Sequence, residues 1–215
     1  MSFWDYLVDR RDLLIFQSVQ QLSMVAQCLL VATILALVIA SLVYKNRTAV
    51  ELATASTAVG LTIPSFALLG LLVAVTGFGI TPAVIALTFY AILPILRNTI
   101  VGLVGVDRTL VDAARGMGMS RMRILTRVEM PMAWPVVLAG VRVSGMMIMG
   151  VAAIAAYVGG AGLGGEIFSG LSRLGGANAL NSTIAGTLGI ALLALLLDLV
   201  LLGLGRLTTP RGIRA

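Results

Sequence analysis

The chain has 215 residues, 59% of them hydrophobic and only 11% charged, with 15 Lys and Arg against 9 Asp and Glu and a mean hydropathy of +1.05. A soluble domain carries roughly a quarter charged residues, so this composition excludes an ordinary soluble fold and points to a bilayer. There is no His and the only cysteine is Cys28, which excludes imidazole metal sites, imidazole proton relays and an internal disulfide.

A hydrocarbon core needs about 20 apolar residues per helical span. Residues 3–16, FWDYLVDRRDLLIF, set apolar residues irregularly about a charged centre, which suits an interfacial helix with Trp4 and Tyr6 at headgroup depth. The acids in this stretch and the length of the apolar run behind it are unlike a signal peptide, so the first span is expected to be retained. Span 1 is expected over 22–44, span 2 over 52–75 with Pro64 inside it, and span 3 over 82–104 with Pro94 inside it. A polar segment, 106–131, follows. Span 4 is expected over 134–157, a glycine-rich stretch joins it to span 5 over 183–205, and a basic tail covers 206–215. Residues 1–21 thus form an N-terminal interfacial segment, and 22–205 a single transmembrane domain.

With five spans the termini lie on opposite sides, and the excess of Lys and Arg in short loops marks the cytoplasmic one. Lys45, Arg47, Arg108, Arg115, Arg121, Arg123, Arg127, Arg206, Arg211 and Arg214 fall on one side, and Arg10, Arg11 and Arg173 on the other. The N-terminus is therefore expected outside and the C-terminus in the cytoplasm. The high isoelectric point is read as this topology signal and not as a nucleic-acid surface.

The segment 106–131 is the most distinctive. In DRTLVDAARGMG, Leu110, Ala113, Ala114 and Met117 share one helical face. Gly116 and Gly118 break that helix, Ser120 is a reasonable N-cap for a second one, and Pro131 is expected to close the second before span 4 begins. Small alanines admit another backbone closely, and the arginines suit carboxylates or anionic headgroups. A basic loop that merely fixes topology would share this composition; the spacing argues otherwise. Asp112, Ala113 and Ala114, then Gly118, then Val128, Met130 and Pro131 resemble the signature of ATP-binding-cassette (ABC) import permeases, Glu-Ala-Ala, three residues, Gly, nine residues, Ile, one residue, Leu-Pro. Asp, Val and Met stand where the signature has Glu, Ile and Leu.

That resemblance implies an all-α integral membrane fold, the five-helix core of type I (MetI-like) importer permeases. It implies a coupling helix docked on a dimer of separate ATPase subunits. No GxxxxGK[ST] loop occurs here, so ATP and Mg are expected on that partner; the chain itself is expected to carry no cofactor and no catalysis. Further stretches, LTIPSFALLGLLVAVTGFGITP and AAYVGGAGLGGEIFSGL among them, are similar to permeases of osmoprotectant importers for glycine betaine, choline, carnitine or proline. The other partners implied are an extracellular or periplasmic substrate-binding protein and a second permease subunit, identical or homologous, in a bacterial cell membrane.

Within the spans, Pro64 and Ser65 in TIPSF, and Pro94, are candidates for the pathway, since carbonyls freed by proline are tolerated where they face protein or water; packing kinks are the alternative. Asp198 is the acid deep in span 5. It is expected to pair with Arg97 or Arg142, with a gating role as the alternative. Glu166, in the glycine-rich stretch, is a candidate for an outer gate, with a flexible loop as the alternative. No aromatic cage for a quaternary ammonium is recognisable in the sequence. Two other transport readings are an importer for another small solute, such as an amino acid, and a small motor-independent transporter.

Overall fold

The computed structural model describes residues 1–209, and every regular element among them is helical. Arg211 and Arg214, counted above in the basic tail, lie outside the described residues. A short helix α1, Phe3–Asp9, starts from a capping box. Ser2 Oγ accepts from the Asp5 amide and donates to the Asp5 carboxylate, and this hydrogen bond holds that carboxyl below its ordinary range. Helix α2, Arg11–Val43, then runs for 33 residues, starting well before the expected position 22. Its first turns carry Asp12, Gln17, Gln20 and Gln21, which hide the start of the helix from a hydropathy reading.

The second expected span is not one helix. Helix α3, Arg47–Thr62, and helix α4, Ser65–Thr76, meet at a bend of 91°. The cause is Pro64. A proline disfavours helical backbone in the residue before it, and Ile63 is extended (φ −67°, ψ 123°). Pro64 therefore stands ahead of α4, not within a helix. The Ile63 carbonyl is taken up by the Tyr90 hydroxyl at 2.6 Å. Four helices among the described residues are long and apolar enough to cross a membrane, and the bent pair supplies the fifth crossing or a re-entrant loop.

Helix α5, Ile80–Val104, fills the place of the third span with Pro94 inside it. Proline removes one backbone hydrogen bond of the helix, yet α5 continues, braced by its neighbour: the Ser144 hydroxyl donates to the Ala91 carbonyl at 2.8 Å. A Cβ on Gly140 would lie 3.1 Å from the Pro94 carbonyl oxygen, so the two helices touch backbone to backbone there.

Helices α6, Arg108–Gly116, and α7, Arg121–Ile124, make up the polar segment, with Gly118 at φ +76° between them. A π turn, Leu125–Glu129, leads directly into α8, Met130–Ala155. Pro131 does not close a helix, as the sequence suggested. It sits in the first turn of α8, where a missing N–H is tolerated, and the π turn takes up the register, with the Met130 amide bonded to the Leu125 carbonyl. Residues Arg121–Val158 are thus one helical run of 38 residues. The glycine-rich stretch holds helix α9, Gly164–Ser172, before α10, Ala179–Thr208.

Helices α5 and α8 form the centre, with α2 against them; Ala86, Leu87, Ile95, Val137, Ile148 and Met149 are wholly buried, and Cys28 is buried in the same core. Helix α10 leaves Leu192, Leu195, Leu196 and Leu199 exposed, a face suited to lipid. At one end of the bundle gather Tyr44, the α6–α7 segment and the C-terminus of α10, where the Trp134 indole donates to Thr208 at 2.9 Å. This is called the basic end below. At the other, the glycine-rich end, lie α1, α9 and the turn Gly77–Gly79.

Candidate functional site

The basic end presents a knob. Asp107 caps α6 by accepting from the Thr109 amide at 2.9 Å and from the Thr109 hydroxyl, and these bonds hold its carboxyl below the ordinary value. Only Ala114 of α6 is buried. Asp112 and Ala113 are exposed, as are Leu110, Met117 (74%) and, past the Gly118 turn, Met122. The apolar face read from the sequence is therefore unoccupied over most of its length within this chain. Asp112 pairs with Arg115 at 3.1 Å on the surface of the helix, a type of pair worth little in stability. Val128, Met130 and Pro131 are half-buried in the stem that joins the knob to α8.

One residue of this end was missed in the sequence. Glu129 is 4% exposed and accepts from the Tyr44 hydroxyl at 2.6 Å, with Lys45 Nζ at 3.9 Å. Burial, and then this hydrogen bond, push the Tyr44 phenol well above its ordinary value, so it remains a donor. The contact ties the stem of the knob to the end of α2. Beside it a cavity of about 440 Å³ is lined by Lys45, Val106, Arg108, Asp112, Arg115 and Glu129. In the sequence Glu129 stands between Arg127 and Met130 and reads as one more surface charge.

Between the ends, Asp198 meets Arg142 in a two-pronged pair, Nε to Oδ1 at 2.8 Å and Nη2 to Oδ2 at 2.9 Å. Both groups are half-buried, and Arg97 on α5 is exposed. The fork geometry satisfies the carboxylate fully.

At the glycine-rich end, Glu166 is also 4% exposed. It accepts from the Tyr6 hydroxyl at 2.7 Å and the Ser182 hydroxyl at 2.7 Å, with Arg10 at 3.8 Å, and so binds α1, α9 and α10 together. Gln21, wholly buried on α2, accepts from the Leu163 amide at 2.9 Å at the entrance to α9. Two glycines make a close crossing: the Gly79 amide donates to the Val158 carbonyl at 2.8 Å, and a Cβ on Gly159 (φ +93°) would stand 3.0 Å from the Gly79 backbone. From 158 to 170 this stretch is largely packed and not a loose loop, whereas residues 171–177 are exposed. Pro64 and Phe66 are exposed at the bend, Ser65 is half-buried, and Pro94 lies in the core.

Residues 32–211 match the family described as binding-protein-dependent transport system inner membrane components. The chain is 37% identical over 214 residues to the osmoprotectant import permease protein OsmW of Salmonella typhimurium, covering 97% of this chain and 98% of that one. It is 39% identical over 153 residues to the glycine betaine/carnitine/choline transport system permease protein OpuCB of Bacillus subtilis, covering 71% of this chain and 69% of that one. Its fold is similar to a chain of the MetNI methionine ABC transporter, with a TM-score of 0.76, 20% identity and coverage of 98% and 100%. With a matched region spanning most of its length and a near-complete alignment to a permease, the chain belongs to the family of inner membrane components of binding-protein-dependent transport systems.

Proposed function

We infer that the chain is the membrane-spanning subunit of an ATP-driven importer for osmoprotectants such as glycine betaine, choline, carnitine or proline. The observation that carries this reading is the knob at the basic end: a short helix with an exposed apolar face, turned by Gly118 and continuous through its stem with a membrane helix. Such a face suits a groove on another protein. The osmoprotectant permeases it resembles supply the solute class.

In this reading the basic end lies in the cytoplasm and receives a dimer of ATPase subunits, which hold ATP and Mg. Asp112, Ala113, Ala114 and Gly118 make the docking surface and its turn. Val128, Met130 and Pro131 hold the stem, and Glu129 fixes the stem to α2. A binding protein delivers solute to the glycine-rich end from outside the membrane, and a second permease chain, identical or homologous, completes the pathway. Closure of the ATPase dimer draws the knobs together and opens the spans outward; hydrolysis returns them. Pro64, Ser65 and Pro94 line or shape the pathway, and Glu166 secures the outer end.

The test is to place tryptophan at Gly118 or at Asp112 and to measure co-purification of the ATPase and uptake of glycine betaine. Loss of both with the chain still inserted in the membrane is expected. Unchanged co-purification and uptake in both variants would refute the docking assignment.

A further inference from the structure

Three aromatic rings that are far apart in sequence meet at the glycine-rich end. Phe66 stands in the first turn of α4, Tyr157 in the turn that ends α8, and Phe168 on α9. The Phe66 and Tyr157 centroids are 5.4 Å apart at 47°, and those of Tyr157 and Phe168 are 5.3 Å apart at 54°. This cluster is not core. Phe66 is 53% exposed and Tyr157 57%, and the Tyr157 hydroxyl donates to no group among the described residues. Phe89 and Tyr90, neighbours on α5, also meet edge to face but have a different use: Tyr90 is buried and its hydroxyl secures the Ile63 carbonyl.

The cluster borders the bent helix pair α3–α4. Residues 61–64 are exposed at the bend between α3 and α4. Non-helical backbone at membrane depth does not face lipid; it faces protein or a water-filled cavity. The side of the bundle that carries the bend, Phe66 and Tyr157 is on that ground turned toward a second permease chain and the pathway the two would enclose. The runs 52–96 and 143–165 hold no charged residue, so no Lys or Arg from them can lie on the ring faces.

We propose that Phe66, Tyr157 and Phe168 form an open aromatic arc that receives the quaternary ammonium of the solute at the glycine-rich end of the pathway. The proposal rests on the import reading above and names the group recognised. A trimethylammonium has no N–H to donate, so hydrogen-bonding side chains cannot hold it. It is attracted to the negative faces of aromatic rings, a contact that is strengthened when water is excluded. Three tilted rings present such faces without fixing the cation with a carboxylate, which would slow its release.

The test uses the complete transporter, with its ATPase and binding protein, in proteoliposomes. Phe66 and Phe168 are replaced by phenylalanines of increasing fluorination, which keep the ring's shape and weaken its face. Uptake of choline or glycine betaine is measured with saturating loaded binding protein. A stepwise fall reaching about fivefold is expected, with assembly and thermal stability unchanged. Tyr157→Phe should keep the rate and Tyr157→Leu lose it, and fluorination at Phe89 should have no effect. Rates that do not follow fluorination at Phe66 or Phe168, in a transporter that imports these solutes, would overturn the arc alone. A wild-type complex that imports another solute and none of these would overturn the import reading, and the arc with it.

Discussion

The two ends of the bundle use the same clamp with different degrees of support. Each has a buried glutamate that accepts from the hydroxyl of a tyrosine on an earlier element, Tyr44 for Glu129 and Tyr6 for Glu166, with a cation just under 4 Å away. At the glycine-rich end the clamp is complete. Ser182 gives Glu166 a further donor, and Gly79 and Gly159 bring two backbones into contact beside it. At the basic end Glu129 accepts from Tyr44 beside Lys45, lies at the end of a π turn and borders a cavity. A π turn inside an α-helix often marks a functional site. The comparison teaches that one end is built to hold its shape and the other to hold a connection while its surroundings move.

The largest effect is expected between the ends. Arg142→Leu should cost about 3 kcal/mol, because it leaves the half-buried Asp198 carboxylate within a membrane helix without its partner. The double variant Arg142→Leu/Asp198→Leu should recover most of that, as thermal unfolding of the purified complex would record. If the single and double variants are equally unstable, charge burial is not the cause, and the ends cannot be compared on that footing. Next, Glu166→Ala should cost about 3 kcal/mol by stranding the buried Tyr6 hydroxyl and leaving Ser182 with only the residue 166 carbonyl, with uptake and ATP hydrolysis falling in parallel. Glu129→Ala should cost less, about 2 kcal/mol, yet lower the solute moved per ATP hydrolysed. Equal transport-to-hydrolysis ratios in the two variants would erase the distinction between the clamps.

A third pair of variants sharpens the contrast in backbone packing. Gly159→Ala meets both a left-handed backbone and the Gly79 crossing, and should cost about 2 kcal/mol or more. Gly118→Asn meets a similar φ with nothing within 4 Å of the new Cβ, and should cost a few tenths of a kcal/mol, since Asn tolerates that conformation. The smallest effect is at Asp107. Its carboxyl is held low in the folded chain by Thr109, so the cap it provides is fully present above the ordinary carboxylate value and is lost as pH falls through the lowered one. The protection factor at the start of α6, with the intrinsic pH dependence of amide exchange divided out, should be flat from about pH 7 to pH 5, fall only below about pH 4, and lose this pH dependence in Asp107→Asn.

Long apolar runs made most of the fold legible. Helix α5 begins and ends within two residues of its expected span, because the run is continuous and Gly79 and Gly105 bound it. The helical spacing of Leu110, Ala113, Ala114 and Met117, with Gly118 after it, placed a helix and a turn where both occur. The prolines were harder to read, because the same residue does three things here. Pro64 breaks a helix through its effect on Ile63, Pro94 stays inside one braced by Ser144, and Pro131 is absorbed by a π turn. Which of these happens depends on what packs alongside. Glu129 escaped notice for the same reason, since burial is decided by Tyr44, more than eighty residues earlier. The aromatic arc required α4, α8 and α9 to converge, and no local pattern carries that information.

The uninterrupted helical run from Arg121 to Val158 has a mechanical meaning. At a rise of 1.5 Å per residue, its 38 residues span about 57 Å, from the exposed Met122 beside the knob to Tyr157 in the arc. A strut of that length delivers an axial push at one tip to the opposite tip without any intervening loop to absorb it, and the π turn near its base is the point where such a strut would flex first.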